Sequence, residues 1–276
     1  YQQVQSKPMI LHSVKLRRSL HGVSLPLLVI AGLLLLWEIL VSINDVPAGI
    51  LPPPSKIMQE SFSLREQLMG HALTTMTEAV VGLVLAALLG IVVAGALASL
   101  AILRKALLPI LVISQNIPMM ILAPLIVVWF GFGIEPKIAV VTLVCFFPIA
   151  VSSADALMNA DKDLLDLMKS MGASRLQVLR YVRIPQAVPS FFSGLQIAAT
   201  YAVLGAVFAE FSGGTSGLWI FIGRSQRAYR TDQVFAAVFL IAILSIVLFL
   251  LVRWMAHIST PWNRVGSDAD LREQGK

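Results

Sequence analysis

Charge is scarce in this 276-residue chain. Asp, Glu, Lys and Arg make up 13% of it, against about 25% in a typical soluble domain. With 57% hydrophobic residues and a mean hydropathy of +0.82, that shortage excludes an ordinary water-soluble domain and points to an integral membrane protein. Cysteine is nearly absent. The single thiol, Cys145, lies in an apolar run, which rules out a disulfide framework and a cysteine-based metal cluster. The sequence also lacks G-x4-G-K-[ST], His-Glu-x-x-His and Gly-x-Ser-x-Gly, so it carries no recognisable machinery for nucleotide, metalloprotease or serine-hydrolase chemistry. The four histidines, His12, His21, His71 and His257, fall near span ends or in the N-terminal tail. The net charge of +6 does not indicate nucleic acid, because the basic residues sit between hydrophobic runs.

Long apolar runs are what the sequence has instead. A spanning helix needs about 20 such residues. Runs of that kind cover residues 24–43, 72–100, 107–130, 138–154, 187–211 and 234–254. The loop 44–70 contains Pro52-Pro53-Pro54, which blocks helix continuation. Gly82, Gly90 and Gly95 in the second run suit close helix packing in lipid. The third run is interrupted by Pro109, Pro118 and Pro124. Residues 131–137 read as a tight loop, and 212–233 as a glycine-rich, then basic loop. The fold class expected is therefore an all-α membrane protein of six transmembrane helices. A cytoplasmic N-terminal segment (1–23) precedes a six-span unit (24–258), and a cytoplasmic tail (259–276) follows it.

Six spans place both termini on one side. Of the 21 Lys and Arg residues, only Lys56, Arg65, Lys137, Arg224, Arg227 and Arg230 fall opposite the termini. The positive-inside rule then puts the termini, and the polar stretch 160–185, in the cytoplasm of a multi-pass cell-membrane protein.

That stretch reads ADKDLLDLMKSMGASRLQVLRYVRIP. Leu164, Leu165, Met168 and Met171 recur at helical spacing, with Asp161, Asp163, Asp166 and Lys169 on the other side. Gly172 stands where a left-handed C-cap favours glycine. Ser174 with Gln177 three residues on forms a capping-box pattern. Leu176, Leu179 and Val182 continue an apolar stripe, and Pro185 is expected to stop the second helix. The reading is two short amphipathic helices bent at Gly172-Ala173.

The same spacing resembles the cytoplasmic loop E-A-A-x3-G-x9-I-x-L-P of permease subunits of binding-protein-dependent ABC importers. Asp166 stands at the Glu position, Leu167 and Met168 at the Ala positions, followed by Gly172, Val182, Ile184 and Pro185. Further similarity lies in Leu51-Pro52-Pro53-Pro54, Gln115-Asn116-Ile117-Pro118, Ala123-Pro124-Leu125, Trp129-Phe130-Gly131-Phe132-Gly133, Lys137-Ile138, and Ala209-Glu210 followed by Gly217-Leu218. These look like the subgroup that imports nitrate, sulfonates, taurine, thiamine precursors or riboflavin. The resemblance implies a homodimeric permease core whose own surface for docking the ATPase includes Asp166, Met168, Gly172, Ala173, Arg175, Leu176 and Pro185. It also implies two ABC ATPase subunits below, a soluble extracytoplasmic solute-binding protein above, and no enzyme activity in this chain. No cofactor is expected here; ATP and magnesium belong to the ATPase partner. Ser212-Gly213-Gly214 shares letters with an ABC ATPase signature, but on the outer side and without its context it is a chance match.

Candidate residues of the translocation path are Glu78, Ser114, Gln115, Asn116, Pro118 and Glu210. An intramembrane carboxylate is costly and usually faces protein or water, so Glu78 and Glu210 either line a path in the outer half or bond to a neighbouring helix. Pro118 removes a backbone donor, and broken helices with polar side chains are typical of transport paths; a simple kink is the other reading. Glu38, after Trp37, reads as an anchor. In sulfonate-type relatives the place of Glu78 often looks like Arg. A carboxylate there disfavours anions, so the solute expected is pyrimidine-, thiamine-precursor- or flavin-like. Arg224, Arg227 and Arg230, spaced by three, are expected on one helical face towards the binding protein, with a solvated or lipid-phosphate-binding face as the alternative. An ion-gradient-driven transporter using Glu78 and Glu210 as proton sites is the competing reading. A membrane-embedded enzyme would need a polar cluster where the sequence offers only isolated groups.

Overall fold

A computed structural model describes residues 10–114 and 118–262. Its elements are helical: α1 (Ile10–Ile43), α2 (Pro54–Ser63), α3 (Arg65–Ser99), α4 (Ala101–Ser114), α5 (Met119–Phe130), α6 (Glu135–Met158), α7 (Lys162–Ser170), α8 (Arg175–Val178), α9 (Ile184–Ser212), α10 (Leu218–Arg227) and α11 (Thr231–Ser259). Among the described residues, five segments are long and apolar enough to cross a membrane: 25–43, 65–99, 135–158, 175–212 and 231–259. Large apolar side chains such as Leu28, Val84, Val128 and Ile246 are exposed around the bundle, as expected of a surface solvated by lipid.

The core is the packing of α3, α6 and α9 against one another. It is built from small residues. Ala79, Ala86, Ala198, Ala199, Ala202 and Ala206 are buried together with Val141, Cys145 and Ile149. Lipid tails offer no hydrophobic drive between helices, so close backbone approach supplies the contact energy. A Cβ on Gly82 would lie 2.5 Å from the Val141 side chain, and one on Gly194 would lie 2.6 Å from the Pro148 carbonyl oxygen. Gly90 likewise meets Ile149. Gly95 departs from the packing role expected of it, because it faces open space.

The loop 44–70 is not irregular. α1 ends at Ile43 and turns follow; Pro53 is the N-cap of α2, and Pro54 opens that helix at a position where the missing N–H costs nothing. Glu38 accepts bonds from the Ser55 N–H (2.9 Å) and hydroxyl (2.7 Å), tying α1 to the first turn of α2. The second span begins at Arg65 rather than at 72. The expected third span, 107–130, is two helices, α4 and α5, and Pro118 is the N-cap of α5. The sequence expectation for Gln115, Asn116 and the side chain of Ser114 lies outside what is described.

Pro185 does not end the second helix of the polar hairpin. The chain runs from Arg175 to Ser212 through α8, a single wide turn at Leu179–Arg183 and α9. In that turn the Ile184 N–H donates to the Leu179 carbonyl, a five-residue step. Widening the ladder in this way accommodates a residue that has no N–H and whose ring would crowd the carbonyl four residues back.

Candidate functional site

Two groups of residues stand out, at opposite ends of α9. The first is the hairpin α7–α8. Asp161 caps α7 by accepting from the N–H groups of Asp163 and Leu164, and its own N–H donates to the Gln186 side chain on α9 (3.1 Å). Gly172 has φ +73°, the left-handed conformation that favours glycine. Ser174 and Gln177 form the full capping box. A nine-residue helix is marginal alone, and these caps with the anchor to Gln186 hold it in place. No residue of α7 or α8 is buried. Leu164, Leu167, Met171 and Leu176 are exposed, Leu176 at 72% and Met171 at 74%. Asp166 is exposed and pairs with Lys169 at 2.8 Å. The neighbouring ammonium holds the Asp166 carboxyl below the ordinary carboxylate range. Met168, Ala173 and Pro185 are half-buried, and Arg175 is exposed.

The second group lies where α3 and α6 begin and α9 ends. Glu78 of α3 is fully buried and pairs at 2.9 Å with Lys137, itself 5% exposed, in the first turn of α6. Glu210, also fully buried, accepts from the Thr75 hydroxyl through Oε1 (2.5 Å) and from the Trp219 N–H through Oε2 (2.8 Å). The Leu218 N–H donates to the Thr75 oxygen (3.0 Å), and the Gly217 N–H to His71 Nδ1 (3.1 Å). Three successive N–H groups at the start of α10 are thus satisfied by side chains from α3 and α9. A carboxylate at that end also complements the helix dipole. A side chain on Gly217, at φ +119°, would collide with the Glu210 carboxyl group.

The Glu78 and Glu210 carboxyl groups stand close enough to interact. Both oxygens of Glu210 accept from other groups. Among the described residues no N–H or O–H donor reaches Glu78 Oε2, and the Glu210 carboxyl group lies within hydrogen-bonding reach of Glu78. Glu78, Lys137, Thr74, Phe132 and the loop residues Gly214–Ser216 enclose a cavity of about 280 Å³.

The structure therefore joins Glu78 and Glu210, which the sequence presents as separate groups. It adds Lys137, Thr75 and His71, which sequence reasoning assigned no role. Lys137 reads from sequence as part of the loop 131–137, but it is a buried member of α6. Pro118 is not in this cluster; it lies at the far end of the 12-residue α5. The arginines do not share one helical face. Arg224 and Arg227 are exposed on α10, but Tyr229 at φ +55° turns the chain out of the helix. Arg230 instead bonds to Glu60 of α2 (2.9 Å) and Asp232 of α11 (3.1 Å).

Residues 86–265 match the family described as "Binding-protein-dependent transport system inner membrane component". A probable ABC transporter permease of Haemophilus influenzae is 37% identical over 84% of this chain and 95% of its own length. The formylaminopyrimidine transport permease ThiX of Halalkalibacterium halodurans is 34% identical over 87% of this chain and 96% of its own. In fold, the chain is similar to a protein of the MetNI methionine ABC transporter captured in inward-facing conformations. The TM-score is 0.62 at 21% identity, covering 71% of this chain and 97% of the other. The chain belongs to the family of binding-protein-dependent inner membrane components: it is a multi-pass permease subunit of an ABC importer.

Proposed function

We propose that this chain is one of two identical translocation subunits. They stand above two ATPase subunits that hold ATP and magnesium, and receive a small solute from an extracytoplasmic binding protein. Both termini and the α7–α8 hairpin face the cytoplasm, as the distribution of Lys and Arg supports. One observation carries this reading. The hairpin is rigidly capped, exposes an apolar surface, and leads without a break into α9. A push on it moves a helix whose other end, Glu210, caps α10. Lever-like coupling of this kind supports alternating access. Arg224 and Arg227, exposed on α10, face the binding protein; Arg230 holds the outer layer together.

The test is co-purification. The wild-type chain should carry the ATPase out of a detergent extract, and Leu176→Glu should lose it. Full retention by Leu176→Glu, with other hairpin variants behaving alike, would contradict the reading.

The solute is pyrimidine-, thiamine-precursor- or flavin-like rather than a sulfonate or nitrate. Relatives named for formylaminopyrimidine, riboflavin, taurine and sulfonates all match the chain, so the names alone do not choose among them. The outer cluster favours the first kind, because its single ammonium is already paired with Glu78 and leaves an anion only carboxyl groups to meet. Competition for uptake by an aminopyrimidine and not by taurine is the expected result; the reverse order would refute it.

A further inference from the structure

The geometry points to the cavity among α3, α6 and the loop 212–217 as a binding site for a small solute group that donates N–H bonds, either an ammonium or a ring amino group. The inference rests on the import reading and specifies where, and through which atom, the solute is held at the outer end of the bundle.

The cavity has one unsatisfied polar wall. Glu78 is fully buried and lines it; Oε1 accepts from Lys137, and Oε2 meets no N–H or O–H donor among the described residues. The nearby Glu210 has both oxygens engaged in holding α10. Lys137 gives one positive charge against two carboxylates. With all three groups ionised the arrangement lacks one donor and one positive charge; either a proton shared between the two carboxyl groups or a donor from the cavity completes it. Buried polar atoms in native proteins are normally paired, so a donor from the cavity would complete the set.

The other walls fit a flat, weakly polar partner. Phe132 lines the cavity on one side, and Gly133, Gly214, Thr215 and Ser216 line the rest. A Cβ on Gly214 would lie 2.9 Å from Lys137 Nζ, so glycine keeps this wall open. At about 280 Å³ the space is just below the range for drug-sized ligand sites, roughly 300–1,000 Å³. One small ring fits, whereas a three-ring solute held whole does not. An anion would find Lys137 already paired and a carboxylate at the wall.

The full chain in lipid nanodiscs is titrated calorimetrically with 4-aminopyrimidine, with 4-methylpyrimidine as the isostere lacking the donor, and with methanesulfonate as the anion. Saturable binding of 4-aminopyrimidine is expected, with the isostere weaker by about tenfold, the loss of one charge-assisted bond, and with no methanesulfonate binding. Glu78→Gln should weaken 4-aminopyrimidine by a similar factor. Thr215→Trp, at an exposed loop position, should block the site without touching the buried pair and decides the matter if Glu78→Gln fails to fold. Equal affinity for amino and methyl rings, unchanged binding in both variants, or no saturable binding would show that Glu78–Lys137 is a structural tie only. If ATP-dependent uptake persists while no probe binds, this site is refuted and the import reading stands.

Discussion

Lys137 decides what Glu78 costs. A buried ion pair contributes little net stability, but removing one partner strands the other charge in a low-dielectric interior. Lys137→Met is expected to destabilise the folded protein by on the order of 3–5 kcal/mol, read as a lower melting temperature in detergent. Lys137→Met combined with Glu78→Met should recover most of the loss, and additive losses would deny the pairing. Gly172 carries a different constraint. Its φ of +73° costs a β-branched residue backbone strain, while the space around it is open. Gly172→Val should therefore insert normally and leave the partner ATPase active yet lose uptake, whereas Gly172→Asn should keep it. Normal transport by the valine variant would show that the bend is not required. Asp166 stays ionised at neutral pH beside Lys169. Because its carboxyl titrates below the ordinary 3.8, the pairing is complete above that value and is lost as pH falls through the lowered one. A carboxyl titration by NMR checks this, and a midpoint above the ordinary value would contradict it. Glu78 and Glu210 were legible in sequence as carboxylates in apolar runs. Their union was not, because helix pairing brings together positions far apart in the chain. Lys137 was missed because a lysine at the edge of an apolar run reads as the membrane boundary.

The helices themselves follow the sequence where local rules dominate. The cap at Ser174, the bend at Gly172 and the apolar runs were all readable from spacing. The wide turn at Leu179–Arg183 was not, since proline after a short amphipathic helix ordinarily signals an end, and only the packing of Val182 and the onward helix overrides it. That turn fixes the angular register of the hairpin on α9. Deleting Tyr181 should tighten it to an ordinary α-turn and rotate α7–α8 by about 100°. Membrane insertion should survive and ATP-coupled uptake should fail; undiminished uptake would mean that the register is irrelevant. The glycines separate in the same way. Gly194→Val, against the Pro148 carbonyl, should cost about 1–3 kcal/mol in thermal unfolding. Gly95→Ala, facing open space, should be neutral or stabilising by up to about 1 kcal/mol. Equal effects would refute the close α6–α9 contact.

For the whole molecule, the fold divides labour along one strut. The hairpin at one end of α9 exposes apolar side chains that no described residue covers, and Glu210 at the other end holds the helix that carries Arg224 and Arg227. Composition and charge distribution announced a membrane protein with a polar hairpin on its basic side. The broken third span and the outer helices α2 and α10 required tertiary structure, because short helices at a surface lack the long apolar signal. On the proposed reading the energy for transport comes from a separate ATPase subunit. Liposomes containing this chain, the binding protein and labelled solute, prepared with and without the ATPase subunit, test that most directly. Accumulation that requires both ATPase and ATP is the expected result; accumulation by the chain alone would contradict the account.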